Sequence, residues 1–475
     1  MKFRSHLPTF VAWLLLLSAN FANADEPLGP PDEISPDTSL PLLGARHCLP
    51  MPEGRSIGIA DAVLHAICST PKVRQAAAVV RAQEAAVGAA RSAYFPALNA
   101  KIGATQSSVV STYDYSEMGG GEVRGNRRSR SLSSEIRLSW TLLDFGRRAS
   151  TLEHDQALLS DAISSRDEAL QNVFFSAAQA FYLLKEKLAA SDAARRYEAI
   201  AAYSEEVAAA KHRAGAGNLS DELQAKTSHR RAIVDLVNAE GEARVAAGKL
   251  AVAMGLEATR PLDVASDEDL ASMSELADVP VDSVIDVAMQ RRPILRAAKA
   301  KLDAQRANEG IARSEFMPVV SLVGTLSDVR SRNDHAAPSE SATRSHGNVI
   351  GVQIEIPFFD GFATHYHVAQ ARATFDARQA ELDDLELQVS LEVWSSYSEV
   401  KTCEQNFANS AHLLSDAQQA LSVAKGRYKA GVGGFTELLN AQVELADAQK
   451  IRVHSVARLH NARLMLAKSL GGLHL

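Results

Sequence analysis

A long stretch of this chain occurs twice. The segment from Pro71 to Pro96 recurs without a gap from Pro293 to Pro318, the first copy ending Ala90-Arg91-Ser92-Ala93-Tyr94-Phe95-Pro96 and the second Ala312-Arg313-Ser314-Glu315-Phe316-Met317-Pro318. The match continues at a shorter offset, pairing Leu142-Leu143-Asp144 with Phe358-Phe359-Asp360, Ala214-Gly215 with Ala430-Gly431, and Gly255 with Gly471. The change of offset places an insertion between Pro96 and Ile136. Insertions collect in exposed loops, and Gly119-Gly120-Gly121 and the run Arg124 through Arg130 lie in that stretch.

By length alone, 475 residues suggest about three domains. A duplication of this period without Pro/Gly linkers favours one body built from two similar halves instead. The net charge of −7 gives no reason to expect nucleic acid, and it favours cations wherever acidic groups line a path.

The N-terminus reads as an address. Lys2 and Arg4 precede an apolar run from Phe10 to Leu17, and Ala22-Asn23-Ala24 provides a small-x-small cleavage site. The run is far short of the ~20 residues of a spanning helix, so residues 1–24 are expected to be a signal peptide. No cysteine follows it where a bacterial lipoprotein would be acylated, and an unlipidated N-terminus is expected. In an oxidising compartment, Cys48 and Cys68 are a candidate disulfide that would pin a Pro-rich arm (25–56) to the first helix. Cys403 falls on an apolar helical stripe and reads as a small buried hydrophobe.

From Ile57 to Ala93 the chain reads as helical, with Pro71 starting a fresh helix and Pro96 ending the run. The period then changes. Ile136, Leu138, Trp140 and Leu142 alternate with Arg137, Ser139 and Thr141, as Val352, Ile354, Ile356 and Phe358 alternate with Gln353, Glu355 and Pro357. Alternation of this kind predicts strands apolar on one side. Each pairs with an upstream run, Leu98 to Thr112 and Val319 to Val329, through polar loops expected around 113–131 and 330–347. That gives one hairpin per repeat, at 97–143 and 319–358.

A very long helix is predicted after each hairpin, because Leu152, Leu159, Ile163, Leu170 and Phe174 keep a three-or-four spacing, as do Leu382, Leu385, Val389 and Val393. Neither run contains proline. Rods over about 149–212 and 363–428 would measure ~95 to 100 Å. Each ends in a Gly-rich turn, Gly215-Ala216-Gly217-Asn218 and Gly431-Val432-Gly433-Gly434, before a return helix that closes the helical stretches 149–254 and 363–470. Ser220 and Thr436 are candidate caps. The first repeat thus covers 57–255, an acidic linker 256–282, and the second repeat 283–472.

Four amphipathic strands cannot close a barrel alone, and open edges are intolerable in lipid. Three copies would supply twelve strands and two copies eight, whose interior side chains fill. Rods of this length favour the wider trimer. Trp140, Phe145, Phe358, Phe359, Phe362, Tyr94 and Phe316 all fall where strand meets helix, the level of an interfacial aromatic girdle or, in a soluble protein, of a hydrophobic plug between strand and helix ends; the alternating strands have no other apolar partner, which favours the girdle.

This ordered set, from the signal peptide through the duplicated helix-Pro-hairpin-helix plan and the Trp140-Thr141-Leu142-Leu143-Asp144-Phe145-Gly146 strand exit to the terminal Gly431-to-Gly472 helix, resembles the TolC family of outer-membrane channel-tunnel proteins. The resemblance spans about Ile57 to Gly472. It implies a mostly helical protomer with a membrane β-barrel part, a homotrimer with a twelve-stranded barrel in the Gram-negative outer membrane, and a helical tunnel in the periplasm. It also implies a passive, non-enzymatic duct without a cofactor, working with a periplasmic adaptor protein and an inner-membrane ABC exporter, or alternatively an RND pump. An unlipidated chain of this length is most similar to the type I secretion members, of the CyaE type, so export of a protein toxin is the expected role and small-molecule efflux the alternative.

The family's tunnel constriction maps onto Glu437 and Asn440, early in the last helix. Its gate contacts map onto Ser220, Asp221 and Tyr428, while its latch arginine falls at Gly433, where that side chain is missing. The turns carrying Gly215, Gly217, Gly431 and Gly433 map onto the adaptor-docking tips. Read without the resemblance, Glu437 and Asp221 are first-turn acids favoured by the helix dipole, and the glycines are plain hairpin turns.

Other motifs carry less. Asp144-Phe145-Gly146 spells a kinase signature without a catalytic loop or phosphate-binding lysine. His365 and His367 lie on different helical faces, and no His/Cys/Asp cluster has zinc spacing. Arg124, Arg127, Arg128 and Arg130 are expected in an outer loop, facing lipopolysaccharide phosphates or water. A periplasmic coiled-coil scaffold or adaptor would keep the heptads, but it has no use for strands that alternate at Ile136 to Leu142 and Val352 to Phe358.

Overall fold

The computed structural model of the chain describes residues 56–265, 280–334 and 341–472. The signal peptide, Cys48, nearly all of the arm and half of the 256–282 linker lie outside the described residues. Each repeat begins with two short helices, α1 (Ile59–Ser69) and α2 (Pro71–Ser92) in the first, α5 (Val281–Arg291) and α6 (Pro293–Ser314) in the second. Pro71 and Pro293 both start the second helix of their pair, where a missing N–H costs nothing.

The hairpins follow: β1 (Ala97–Asp114) with β2 (Glu122–Leu143), and β3 (Val319–Asp334) with β4 (Ser341–Glu355). Then come the rods. Helix α3 (Arg147–Arg213) and helix α7 (Ala363–Lys429) are each 67 residues long, about 100 Å at the usual rise. Return helices α4 (Leu219–Ala253) and α8 (Phe435–Ser469) lie against them, 35 residues each.

The duplicated aspartate explains how a strand becomes a rod. Asp144 Oδ2 accepts from the backbone N–H of Arg148 at 3.0 Å, and Asp360 Oδ2 accepts from that of Thr364 at 2.8 Å, satisfying first-turn donors that would otherwise be orphaned. Arg148 also ties back to the strand, donating to the Thr141 carbonyl at 2.7 Å and pairing with Asp144 at 2.8 Å. The kinase-like Asp144-Phe145-Gly146 is therefore a helix-starting device. The expected caps Ser220 and Thr436 are not caps: Asn218 and Gly434 take those positions, and Ser220 instead accepts a bond from Gln224 at 3.4 Å.

The sheet is antiparallel throughout, in the order β1-β2-β3-β4. Its register sorts the faces. Leu98 pairs with Leu138, Ile136 with Leu326, Trp140 with Leu322, and Leu322 with Val352. On the opposite face Asn99 pairs with Arg137, Lys101 with Glu135, and Ser321 with Gln353. The apolar face is bare, with Ile102 at 76% and Ile350 at 64% exposure. Among the described residues both outer strands have a free edge, as a piece of a larger closed surface would.

Two expectations change here. The polar stretches around 113–131 and 330–347 are mostly strand, with only a short turn containing the helical Ser116–Met118 between β1 and β2. Arg124 through Arg130 accordingly belong to β2 and not to a loop. Backbone pairing persists past the point where apolar alternation ends, since ladder hydrogen bonds do not depend on side-chain polarity.

Tyr94, Phe145, Phe316, Phe358, Phe359 and Phe362 are exposed at the strand-to-helix level, and Trp140 Nε1 donates to the Tyr94 carbonyl at 2.9 Å. The helical core has separate centres. One joins Val284, Leu295, Leu382, Val389, Val393 and Leu466, and another joins Ile57, Phe181, Tyr182, Leu250 and Met254. Cys68 is disulfide-bonded, whereas Cys403 is free and buried, its thiol pushed up to about 11 by burial and by the Glu399 carboxylate.

Candidate functional site at the helical tips

Each rod ends on a glycine in the left-handed region, Gly215 at φ +71° and Gly431 at φ +77°. The chain then folds tightly back: Ala216 N donates to the Lys211 carbonyl at 2.9 Å, and Val432 N to the Arg427 carbonyl at 3.1 Å. Gly217 and Gly433 are needed for closeness. A Cβ on either would stand 3.0 Å from the Cβ of Lys211 or Arg427. A side chain at Gly433, such as an arginine, would therefore crowd this turn.

The repeat alignment sets Lys211 opposite Arg427 and Asp221 opposite Glu437. In the second tip the pair closes, Arg427 Nε lying 2.9 Å from Glu437 Oε1 with both side chains exposed. In the first tip it does not. Lys211 reaches across to the other hairpin, its Nζ donating to the Tyr428 carbonyl at 3.2 Å and sitting 3.7 Å from the centre of the Tyr428 ring.

Tyr428 is therefore the hub between the tips. It is buried, its ring meets Phe435 edge-on at 5.7 Å, and Ala208, Ala225 and Leu438 complete the cluster. Burial raises its phenol pKa, and the Asp221 charge adds to the effect. Ser220 and Asn440 are exposed beside this cluster. Among the expected gate residues, Asp221 and Tyr428 come together electrostatically, whereas Glu437 is engaged by Arg427.

Further up, Gln442 Nε2 donates to Ser204 Oγ at 2.6 Å in a buried contact between α8 and α3. His229 of α4 is held between two carboxylates of α3, Glu205 at 2.5 Å and Glu198 at 3.0 Å. Both acceptors are anionic, so both ring nitrogens donate only in the imidazolium form. The Glu205 bond, then the Glu198 bond, raise its pKa.

Lys211 and Arg427 were not singled out from sequence. The signal lay in the alignment of the two repeats, which places a basic residue at the same distance before each turn glycine. His365 and His367 share no site: His365 meets Tyr366 edge-on at 5.5 Å, and His367 pairs with Glu315 at 2.8 Å. Among the described residues no group of three or more His, Cys, Asp or Glu could hold a metal. No described helix is long and apolar enough to cross a membrane.

Paired long helical hairpins on an open sheet with one lipid-compatible face define a protomer of an outer-membrane channel with a helical extension. Residues 63–256 and 284–472 match the model of the outer membrane efflux protein family. The chain belongs to that family. It is 30% identical to Protein CyaE of Bordetella pertussis over 418 residues, covering 88% of this chain and 84% of the relative. It is 28% identical to the solvent efflux pump outer membrane protein SrpC of Pseudomonas putida over 229 residues, 48% of this chain and 47% of that protein. The fold matches the crystal structure of the outer membrane protein VceC from Vibrio cholerae with a TM-score of 0.70 at 18% identity, covering 87% of this chain and 96% of that one. The protein is an outer-membrane efflux channel of a Gram-negative tripartite system and not an enzyme. Proteins of this family assemble as trimers.

Proposed function

We propose that three copies of this chain form the exit duct of a type I secretion system for a protein cargo, a passive conduit gated at the tips. The twelve strands of three copies close the barrel, and the helical pairs form the tunnel. The observation that carries the reading is the CyaE likeness, which spans nearly the whole chain, while the SrpC likeness spans half of it. An inner-membrane ABC exporter and a periplasmic adaptor are the partners this role requires, the adaptor docking on the turns at Gly215, Gly217, Gly431 and Gly433.

In this reading Tyr428, Asp221 and Lys211 hold the two hairpins of a protomer together in the closed state, Ser220 flanks them, and Glu437 with Asn440 lines the entrance. Efflux of small molecules through an RND pump is the second reading, favoured by the SrpC match. A deletion strain separates them. Loss of a large protein from the culture supernatant, with unchanged susceptibility to solvents and antibiotics, supports secretion. Unchanged secreted protein with raised susceptibility reverses the assignment. The domain limits we adopt are 57–255 and 283–472 around the 256–282 linker.

A further inference from the structure

The strand residues that read as loop carry a second site. Along β3, Leu322 and Leu326 of the apolar face are followed on that same face by Asp328, Arg330 and Arg332, because side chains two apart share a face. The register brings neighbours alongside: Arg332 pairs with Arg130 of β2, and Arg330 with Arg344 of β4. These four arginines border an open cleft of about 660 Å³ on the lipid-side face, at the hairpin-tip end of the apolar belt.

Among the described side chains of this patch, negative charge is short. Asp328 serves Arg344 at 3.0 Å, His346 at 3.5 Å and Arg330 at 3.6 Å. Arg130 and Arg332 make no ion pair among the described residues, although they stand directly opposite each other. Like charges so placed repel, and an anion shared between them removes the repulsion. The inner face at this level is neutral, with Ser131 paired to Ser331 and Ser331 to Thr343. The positive charge is thus directed at the membrane and not at the duct.

We propose that Arg130, Arg330, Arg332 and Arg344 form a binding site for the phosphorylated headgroup of an outer-leaflet glycolipid, lipopolysaccharide. Guanidinium groups engage phosphate oxygens in a bidentate fashion, and the aliphatic belt below receives the acyl chains. The site lies on the membrane side of the sheet and is independent of which cargo the duct passes.

The test uses the purified full-length oligomer in detergent, with native mass spectrometry reading bound bis-phosphorylated lipid A. The double variant R130Q/R332Q is expected to weaken binding by about tenfold or more, the scale of lost charge-assisted hydrogen bonds. R127Q, on the opposite face, is expected to bind lipid like the wild type, and R130Q/R332Q is expected to keep wild-type single-channel conductance. On wild-type protein, lipid A stripped of its phosphates is expected to bind about tenfold more weakly than the bis-phosphorylated form. This comparison needs no variant to fold. Equal binding of the two lipids, equal binding by wild type and R130Q/R332Q, or an equal loss in R127Q would overturn the proposal. Displacement of the lipid by an equal concentration of inorganic phosphate would overturn the choice of a lipid as occupant.

Discussion

At the scale of single residues, equivalent positions in the two tips have diverged in their partners. Arg427 spends its charge on Glu437 within one turn, while Lys211 leaves Asp221 and bridges to Tyr428. A cation over an aromatic face is worth about 0.5–2 kcal/mol according to desolvation, and Lys211 adds a hydrogen bond to it. Replacing Lys211 by Ala is therefore expected to loosen the hairpins and raise single-channel conductance in planar bilayers. Glu437→Ala exposes an unpaired Arg427 in each copy. It is expected to move selectivity from cations toward anions with a smaller change in conductance. Equal conductance in wild type and K211A would remove Lys211 from the gate. His229 offers a pH test with a definite sign. Its folded pKa is raised by Glu205 and then Glu198, so its contribution is complete below the unfolded value of about 6.5 and is lost as pH rises through the folded pKa. For a partly exposed cluster the amount is on the order of 1 kcal/mol or less. His229→Gln is expected to lower the apparent melting temperature at pH 5.5 and to leave it unchanged at pH 9; a uniform loss at both would make the residue's role one of packing.

At the scale of elements, the two repeats stop their return helices identically. Gly255 (φ +76°) presses on Ser69 at the end of α1, and Gly471 (φ +67°) on Arg291 at the end of α5, an added Cβ meeting backbone at 3.1 Å in both cases. Gly215 and Gly431 have similar φ but nothing within 4 Å. Alanine at Gly215 therefore costs only the left-handed conformation, about 1–2 kcal/mol. Alanine at Gly255 or Gly471 adds displacement of a neighbouring helix, so a clearly larger drop in thermal midpoint is expected. Comparable midpoints for G215A and G255A would show that the helix ends yield freely. These elements were legible in the sequence because their punctuation is local: Pro71, Pro293 and the turn glycines mark ends that periodicity alone leaves vague. The strand lengths were less legible. Beyond Leu132 and Leu326 the apolar alternation gives way to arginine and serine on both faces, although pairing continues to Asp114 and Glu122. The tip contacts were legible only in part, since a lysine that crosses to the other hairpin leaves no trace in local spacing.

At the scale of the whole molecule, the described helices are amphipathic on more sides than one chain can bury. Helix α4 carries Val234, Val237, Val245 and Val252 exposed, and α7 carries Leu387, Leu391 and Trp394 exposed, each at helical spacing. Neither face meets another described element, and the sheet has two free edges at the same time. Two different surfaces that complement each other produce a head-to-tail interface, which closes as a ring when the rotation permits. Barrel edges and helix faces must then be satisfied together, because a copy added at the sheet edge brings its own long helices with it. Burying such valine and leucine side chains contributes about 1.5–3 kcal/mol each, and a carboxylate placed among them would have to be dehydrated without a partner. Val237→Asp and Leu391→Asp, each on an exposed apolar helix face, are each expected to lower the trimer fraction measured by light scattering in detergent. Trimers of wild-type abundance in both single variants would show that these faces stay exposed in the assembly.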